Sequence, residues 1–179
     1  MDTAQFWHLV DQARDRVSDL DDAEAVAKEA QTLFSGLPVG DITAADQAFW
    51  QLMADSFQDS LWAAAYVING GCSDDGFDYF RGWLILQGRE HFEQALRDPD
   101  SLATWPIVLQ AAQAESELEC GSALVMTARA FTAVTGGEIP ACDAIIYPDA
   151  DPDGEWSFEF DDADEMNRRL PRLSALYEY

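Results

Sequence analysis

Residues 61–102 read LWAAAYVINGGCSDDGFDYFRGWLILQGREHFEQALRDPDSL, and the fold class is decided inside this stretch. Leu61 to Ile68 is apolar nearly all round, the signature of a buried helix and not of a surface one. Asn69-Gly70-Gly71 ends it, because glycine takes the left-handed conformation past a helix C-terminus without steric penalty. Ser73 then opens a second helix as its N-cap. Asp74 and Asp75 fall in the first turn, where the helix dipole favours each carboxylate by about 0.3–1 kcal/mol. Gly88 interrupts this helix before a further piece around Phe92, Ala95 and Leu96, and Asp98-Pro99-Asp100-Ser101 breaks the chain.

The same periodicity extends outward on both sides. Phe6, Leu9, Val10, Ala13 and Val17 keep helical spacing behind Asp2 or Thr3 as N-cap. Val26, Ala27, Ala30, Leu33, Phe34 and Leu37 do so after Asp21-Asp22, and Gly36 and Pro38 stop them. Thr43 with Asp46 three residues on has the form of a capping box opening a helix with Phe49, Trp50, Met53 and Phe57 on one side. Leu118, Leu124, Val125, Ala128, Phe131 and Thr132 form the last strong stripe, closed by Gly136-Gly137. Beyond Pro140 the pattern changes. Residues 144–147 can be read as one strand and the alternating Trp156, Phe158 and Phe160 as a second, with Asp153-Gly154 as the turn of a small hairpin; the alternative is a packed irregular tail. Residues 162–170 read as a short helix ended by Pro171. The expectation is a mainly α, single-domain, bundle-like array over residues 1–179: a helical body to residue 137 and a mixed acidic tail, 138–179, packed on it.

With 179 residues, 48% of them hydrophobic and 12% aromatic, the chain is long enough and apolar enough for a real core. Ten Lys and Arg against 34 Asp and Glu give a formal charge of −24. Such a surface repels phosphate backbones and anionic lipid, which argues against nucleic-acid and membrane-surface binding; it is compatible with a basic protein or a cation as partner, and plain solubility explains the charge equally well. Cys72, Cys120 and Cys142 are odd in number and widely spaced, unlike a disulfide framework or a thiolate zinc site. The acidic N-terminal segment lacks the basic start of a signal peptide, and no apolar run reaches about 18 residues. A reducing cytoplasm is the expected compartment.

The core string INGGCSDDGFDYFRGWLILQGREHF, residues 68–92, resembles a bacterial family of proteins of unknown function, domain of unknown function 4240. The resemblance includes the Phe6-Trp7 helix, the Leu-Trp-x-Ala-Ala-Tyr helix at Leu61 to Tyr66, and the Gly-Gly-Cys-Ser-Asp-Asp-Gly-Phe turn at Gly70 to Phe77. Phe-Arg-x-Trp-Leu-Ile at Phe80 to Ile85, Asp-Pro-Asp-Ser-Leu at Asp98 to Leu102, and Arg169-Leu170-Pro171-Arg172-Leu173 complete it. It covers the first hundred residues well and the remainder loosely, and it implies no catalytic residue.

Arg81 is the residue on which a site would turn. It shares a helical face with Phe77, Phe80, Leu84 and Gly88, and a guanidinium there needs a partner. One reading is a structural salt bridge to Asp78, Asp74 or a distant acid. The other is a site at the Asn69–Arg81 turn, with Arg81 for an anionic substrate, Asp74 or Asp75 for acid/base work, Ser73 at the helix start, and Cys72 as a thiol near a helix N-terminus. Asp149, Asp151 and Asp153, followed by Gly154, match the first half of a calcium loop, but Phe160 stands where the bidentate acid belongs. Glu115, Glu117, Glu119 and the acids of 161–165 could pair by spacing alone, as expected in so acidic a chain. No P-loop, dinucleotide fingerprint, H-E-x-x-H or G-x-S-x-G is present. The leading expectation is therefore a non-catalytic cytoplasmic binding protein, adaptor- or immunity-like, with no cofactor, whose acidic face meets a basic protein. A small-molecule or enzymatic turn and a calcium loop are the alternatives.

Overall fold

The fold grows from helices whose caps are written locally. In α1 (Thr3–Arg16), the Asp2 carboxylate accepts from the Gln5 N–H at 2.8 Å while the Gln5 side chain accepts from the Asp2 N–H at 2.8 Å. This reciprocal cap turns Phe6, Trp7, Val10 and Ala13 inward. Asp22 caps α2 (Ala23–Ser35) through the Ala25 N–H at 2.9 Å, and α3 (Val39–Asp55) follows Pro38. The Phe6 ring lies between Phe34 of α2, 5.9 Å away, and Phe49 of α3, 6.5 Å away, so one aromatic cluster ties three helices. The computed structural model describes residues 1–141, 145–148 and 154–179.

Next come α4 (Asp59–Ile68), α5 (Asp74–Leu86) and α6 (Arg89–Arg97). Gly88, at φ +92°, makes the corner between α5 and α6 that most side chains would resist. The buried Leu86 carbonyl at that corner, near the end of α5, accepts from Arg14 of α1 at 2.7 Å. A 3-10 helix (Pro99–Thr104), α7 (Pro106–Ala114), a second 3-10 helix (Gly121–Val125), α8 (Met126–Thr135), α9 (Ala163–Arg169) and α10 (Pro171–Tyr177) complete the chain. The fold is mainly α-helical. A continuous apolar core runs from Phe6 to Leu173, with α1 on α2, α2 and α3 on α8, and α5 on the second 3-10 helix. At that last seam a Cβ on Gly82 would stand 2.9–3.0 Å from Leu124, Ala123 and the Cys120 carbonyl, so only glycine permits the approach. No helix among the described residues is long and apolar enough to cross a membrane.

Several local readings change. The Thr43–Asp46 capping box does not form, because α3 starts four residues earlier at Val39. Thr43 donates back to the Val39 carbonyl at 3.2 Å, and Asp46 is buried against α8. Leu118 belongs to no helix; it pairs through its backbone with Asn69. Pro171 starts a helix as well as stopping one, since proline at N1 gives up a hydrogen bond that the first turn lacks anyway. Of the expected hairpin, residues 145–147 form no strand, and Trp156, Phe158 and Phe160 lie in turns and bends. These rings pack in sequence on one another at 5.9 Å, so their alternation records aromatic packing and not a strand. The hairpin's Asp153 and residue 144 lie outside the described residues.

The tail is fastened by a distant acid. The buried Asp100 carboxylate accepts from the Arg172 N–H at 3.0 Å and the Leu173 N–H at 2.9 Å, capping α10 from 72 residues upstream. The Arg172 guanidinium adds bonds to Asp100 at 2.9 Å and Asp98 at 2.7 Å. The Asp-Pro-Asp-Ser-Leu and Arg-Leu-Pro-Arg-Leu segments are thus two halves of one junction.

Candidate functional site

The Asn69–Arg81 turn is built as expected and pinned on three sides. Gly70 at φ +65° and Gly71 at φ +127° carry the chain out of α4, and the Gly71 N–H returns to the Tyr66 carbonyl at 2.9 Å. The Asn69 amide accepts from the Leu118 N–H at 2.9 Å and donates to the Leu118 carbonyl at 3.4 Å, imitating a short strand pairing. The Trp62 indole stacks on Phe77 at 4.8 Å and donates to the Cys72 carbonyl at 3.0 Å. Ser73 caps α5, its hydroxyl accepting from the Gly76 N–H at 3.2 Å.

Arg81 is 1% exposed. Its guanidinium donates to the Met53 carbonyl at the end of α3 and to the Asp78 carboxylate one turn back. The rings of Phe77 at 4.7 Å, Phe57 at 5.0 Å and Tyr147 at 5.7 Å surround it. Aromatic faces are favourable to a desolvated cation. Asp78 is 40% exposed, so the pair reaches from solvent into the core. Of the acids considered for Arg81, Asp78 is the one that binds it. Asp74 and Asp75 are exposed in the first turn of α5.

Cys72 is half-buried, and burial pushes its thiol up to about 12, with the Glu119 carboxylate adding to the effect and Arg81 opposing it. A thiol held there is not a thiolate at neutral pH. Burial likewise pushes Cys120 up to about 12, beside the Glu24 carboxylate that accepts from it at 3.3 Å. The two histidines are engaged elsewhere: His8 bonds Gln12 at 2.8 Å, and His91 lies edge-on to Trp105 at 4.6 Å. The cavity that borders the turn, about 530 Å³, takes Asn69 and Gly70 from it and is otherwise walled by Glu115, Glu117, Tyr177 and their neighbours. Cys72, Asp74, Asp75 and Arg81 are not in that wall. Among the described residues no group of three or more acids, histidines or cysteines is placed to hold a metal ion. Asp149, Asp151 and Asp153 lie outside the described residues.

Two buried carboxylates escaped the sequence reading. Asp100 caps α10. Asp46, 5% exposed, accepts from the Thr127 hydroxyl at 2.6 Å. Asp46 lies on the spacing Ile42, Asp46, Phe49, Met53, an acid on an otherwise apolar stripe, and that was its signal in the sequence.

A helical array closed around an internal arginine is the class these residues define. The family described as protein of unknown function DUF4240 matches residues 1–133, and the chain belongs to it. No curated protein matches the chain, and no solved structure does.

Proposed function

We propose that the chain is a non-catalytic cytoplasmic binding protein that engages a basic protein through its acidic exterior. The observation that carries this reading is where the acids lie. Among the described residues only Asp46 and Asp100 are buried acids, so the other described carboxylates of this chain of formal charge −24 reach solvent. A field of that sign steers cationic surfaces toward it and weakens with added salt. The most site-like unit supports the same reading, because the two terminal nitrogens of the buried Arg81 are bonded to Met53 and Asp78 beneath three rings, and burial holds the Cys72 thiol protonated.

The test is capture from native cytoplasm at low ionic strength, followed by titration of each purified captured protein. A basic partner whose affinity falls as salt rises supports the reading. Recovery of only neutral or acidic proteins with salt-independent affinity overturns it, and so does turnover of a small substrate by the purified chain.

A further inference from the structure

Tyr147, whose ring covers Arg81, also forms a wall of a second cavity. This chamber of about 360 Å³ lies between α3, the start of α8 and the segment that follows α8. Its size falls within the range of roughly 300–1,000 Å³ typical of small-ligand pockets. Trp50, Leu124, Ala128, Ile145 and Tyr147 make it apolar and aromatic, and Asp46 is the charged residue among those that line it.

Asp46 is unusual in what it lacks. It is 5% exposed and bonded to the Thr127 hydroxyl at 2.6 Å, yet among the described residues no Lys, Arg, His or N-terminus forms an ion pair with it. An asparagine would make the same bond to Thr127 and tie α3 to α8 without burying a charge. Desolvation raises the carboxyl above its ordinary range even though hydrogen bonding from the Thr127 and Trp50 side chains opposes the shift, so the neutral partners only partly offset the burial. Buried carboxylates are tolerated when a cation meets them. Here the chamber itself has room for that cation, and its two aromatic walls are of the kind that favour one.

We propose that this chamber binds a small organic ammonium compound, an amine bearing an aryl or compact alkyl group. The ammonium lies on Asp46, and the apolar body packs against Trp50, Ile145 and Tyr147. The site is distinct from the acidic exterior invoked for a protein partner and does not depend on that reading.

The experiment is calorimetric titration of the full chain at neutral pH, with Trp fluorescence alongside. The ligands are benzylammonium, phenethylammonium and cyclohexylmethylammonium, with benzyl alcohol and phenylethanol as uncharged counterparts. At least one ammonium compound is expected to bind, about tenfold or more tighter than its alcohol, the minimum for a charge-assisted bond in a desolvated site. Asp46→Asn is expected to melt no lower than the natural chain and to lose that preference. Ala128→Trp, which fills the chamber and leaves the carboxylate in place, is expected to lose binding altogether. The proposal fails if no ammonium compound binds at millimolar concentration, if the alcohols bind as tightly, or if either variant binds the amines like the natural chain.

Discussion

Arg81→Ala is the perturbation on which the account of the molecule's centre depends most. The side chain is 1% exposed, and its loss opens a cavity among Phe57, Phe77 and Tyr147. Truncating a buried side chain of comparable length to alanine costs about 2–5 kcal/mol. The charge-assisted bond to the Met53 carbonyl disappears as well, worth about 1.5–3 kcal/mol. Two effects work the other way. A buried cation no longer has to be desolvated, and Asp78, 40% exposed, recovers water instead of being stranded. The Met53 carbonyl also keeps a bond from the Ser56 hydroxyl at 3.1 Å. The net loss is about 3–5 kcal/mol, which for a chain of this size lowers the melting temperature by roughly 10 °C. Circular dichroism melting and urea titration measure it. Arg81→Met restores much of the packed volume without the charge and is expected to lose about half as much. If Arg81→Ala melts within about 2 °C of the natural chain, the guanidinium is not a structural clamp.

Four further outcomes follow from the geometry. Asp100→Ala strips the cap from α10 and costs about 1–2 kcal/mol; hydrogen exchange should show the Arg172 and Leu173 amides losing protection first, and unchanged protection would contradict the junction. Gly82→Val drives a side chain into Leu124, Ala123 and the Cys120 carbonyl and is expected to destabilise by about 1–3 kcal/mol in chemical denaturation. Peptide-resolved alkylation at pH 8 should find Cys72 and Cys120 at least about tenfold slower than free cysteine, with rates still climbing above pH 10; fast labelling of Cys72 would refute its protonated state. Asp46 has a raised folded-state pKa, so its ionised form opposes folding at neutral pH, and that penalty disappears as the pH falls through the raised value to the unfolded value of about 3.9. Asp46→Asn should therefore exceed the natural chain in melting temperature most at pH 7 to 8 and converge with it near pH 4.

What the sequence disclosed was whatever a few neighbouring residues decide. The Gly70-Gly71 exit, the Ser73 cap, the Gly88 corner and the Asp78–Arg81 pair all lie within a turn or two of their partners, and each was readable. The misreadings have one physical cause: a local pattern with two solutions, chosen by contacts far along the chain. Thr43 and Asp46 have capping-box spacing, but Thr127, 81 residues on, claims the carboxylate. Pro171 ends α9 as its sequence implies, but the α10 it also opens depends on Asp100, 72 residues upstream, which no local pattern announces. Helix α7 has two buried residues, Val108 and Ala111, too thin a stripe to announce itself. The closed character of the Arg81 site was half legible: its acid was near, whereas the Met53 carbonyl and Tyr147 came from elsewhere.

The upstream cap on α10 also sets an order of events. A seven-residue helix cannot sustain itself in water, because nucleation outweighs the few bonds it gains. It winds onto the Asp98–Ser101 corner that supplies its cap, so this segment becomes structured only after that corner exists. Until α10 winds, the place that Leu173 fills in the core stays open.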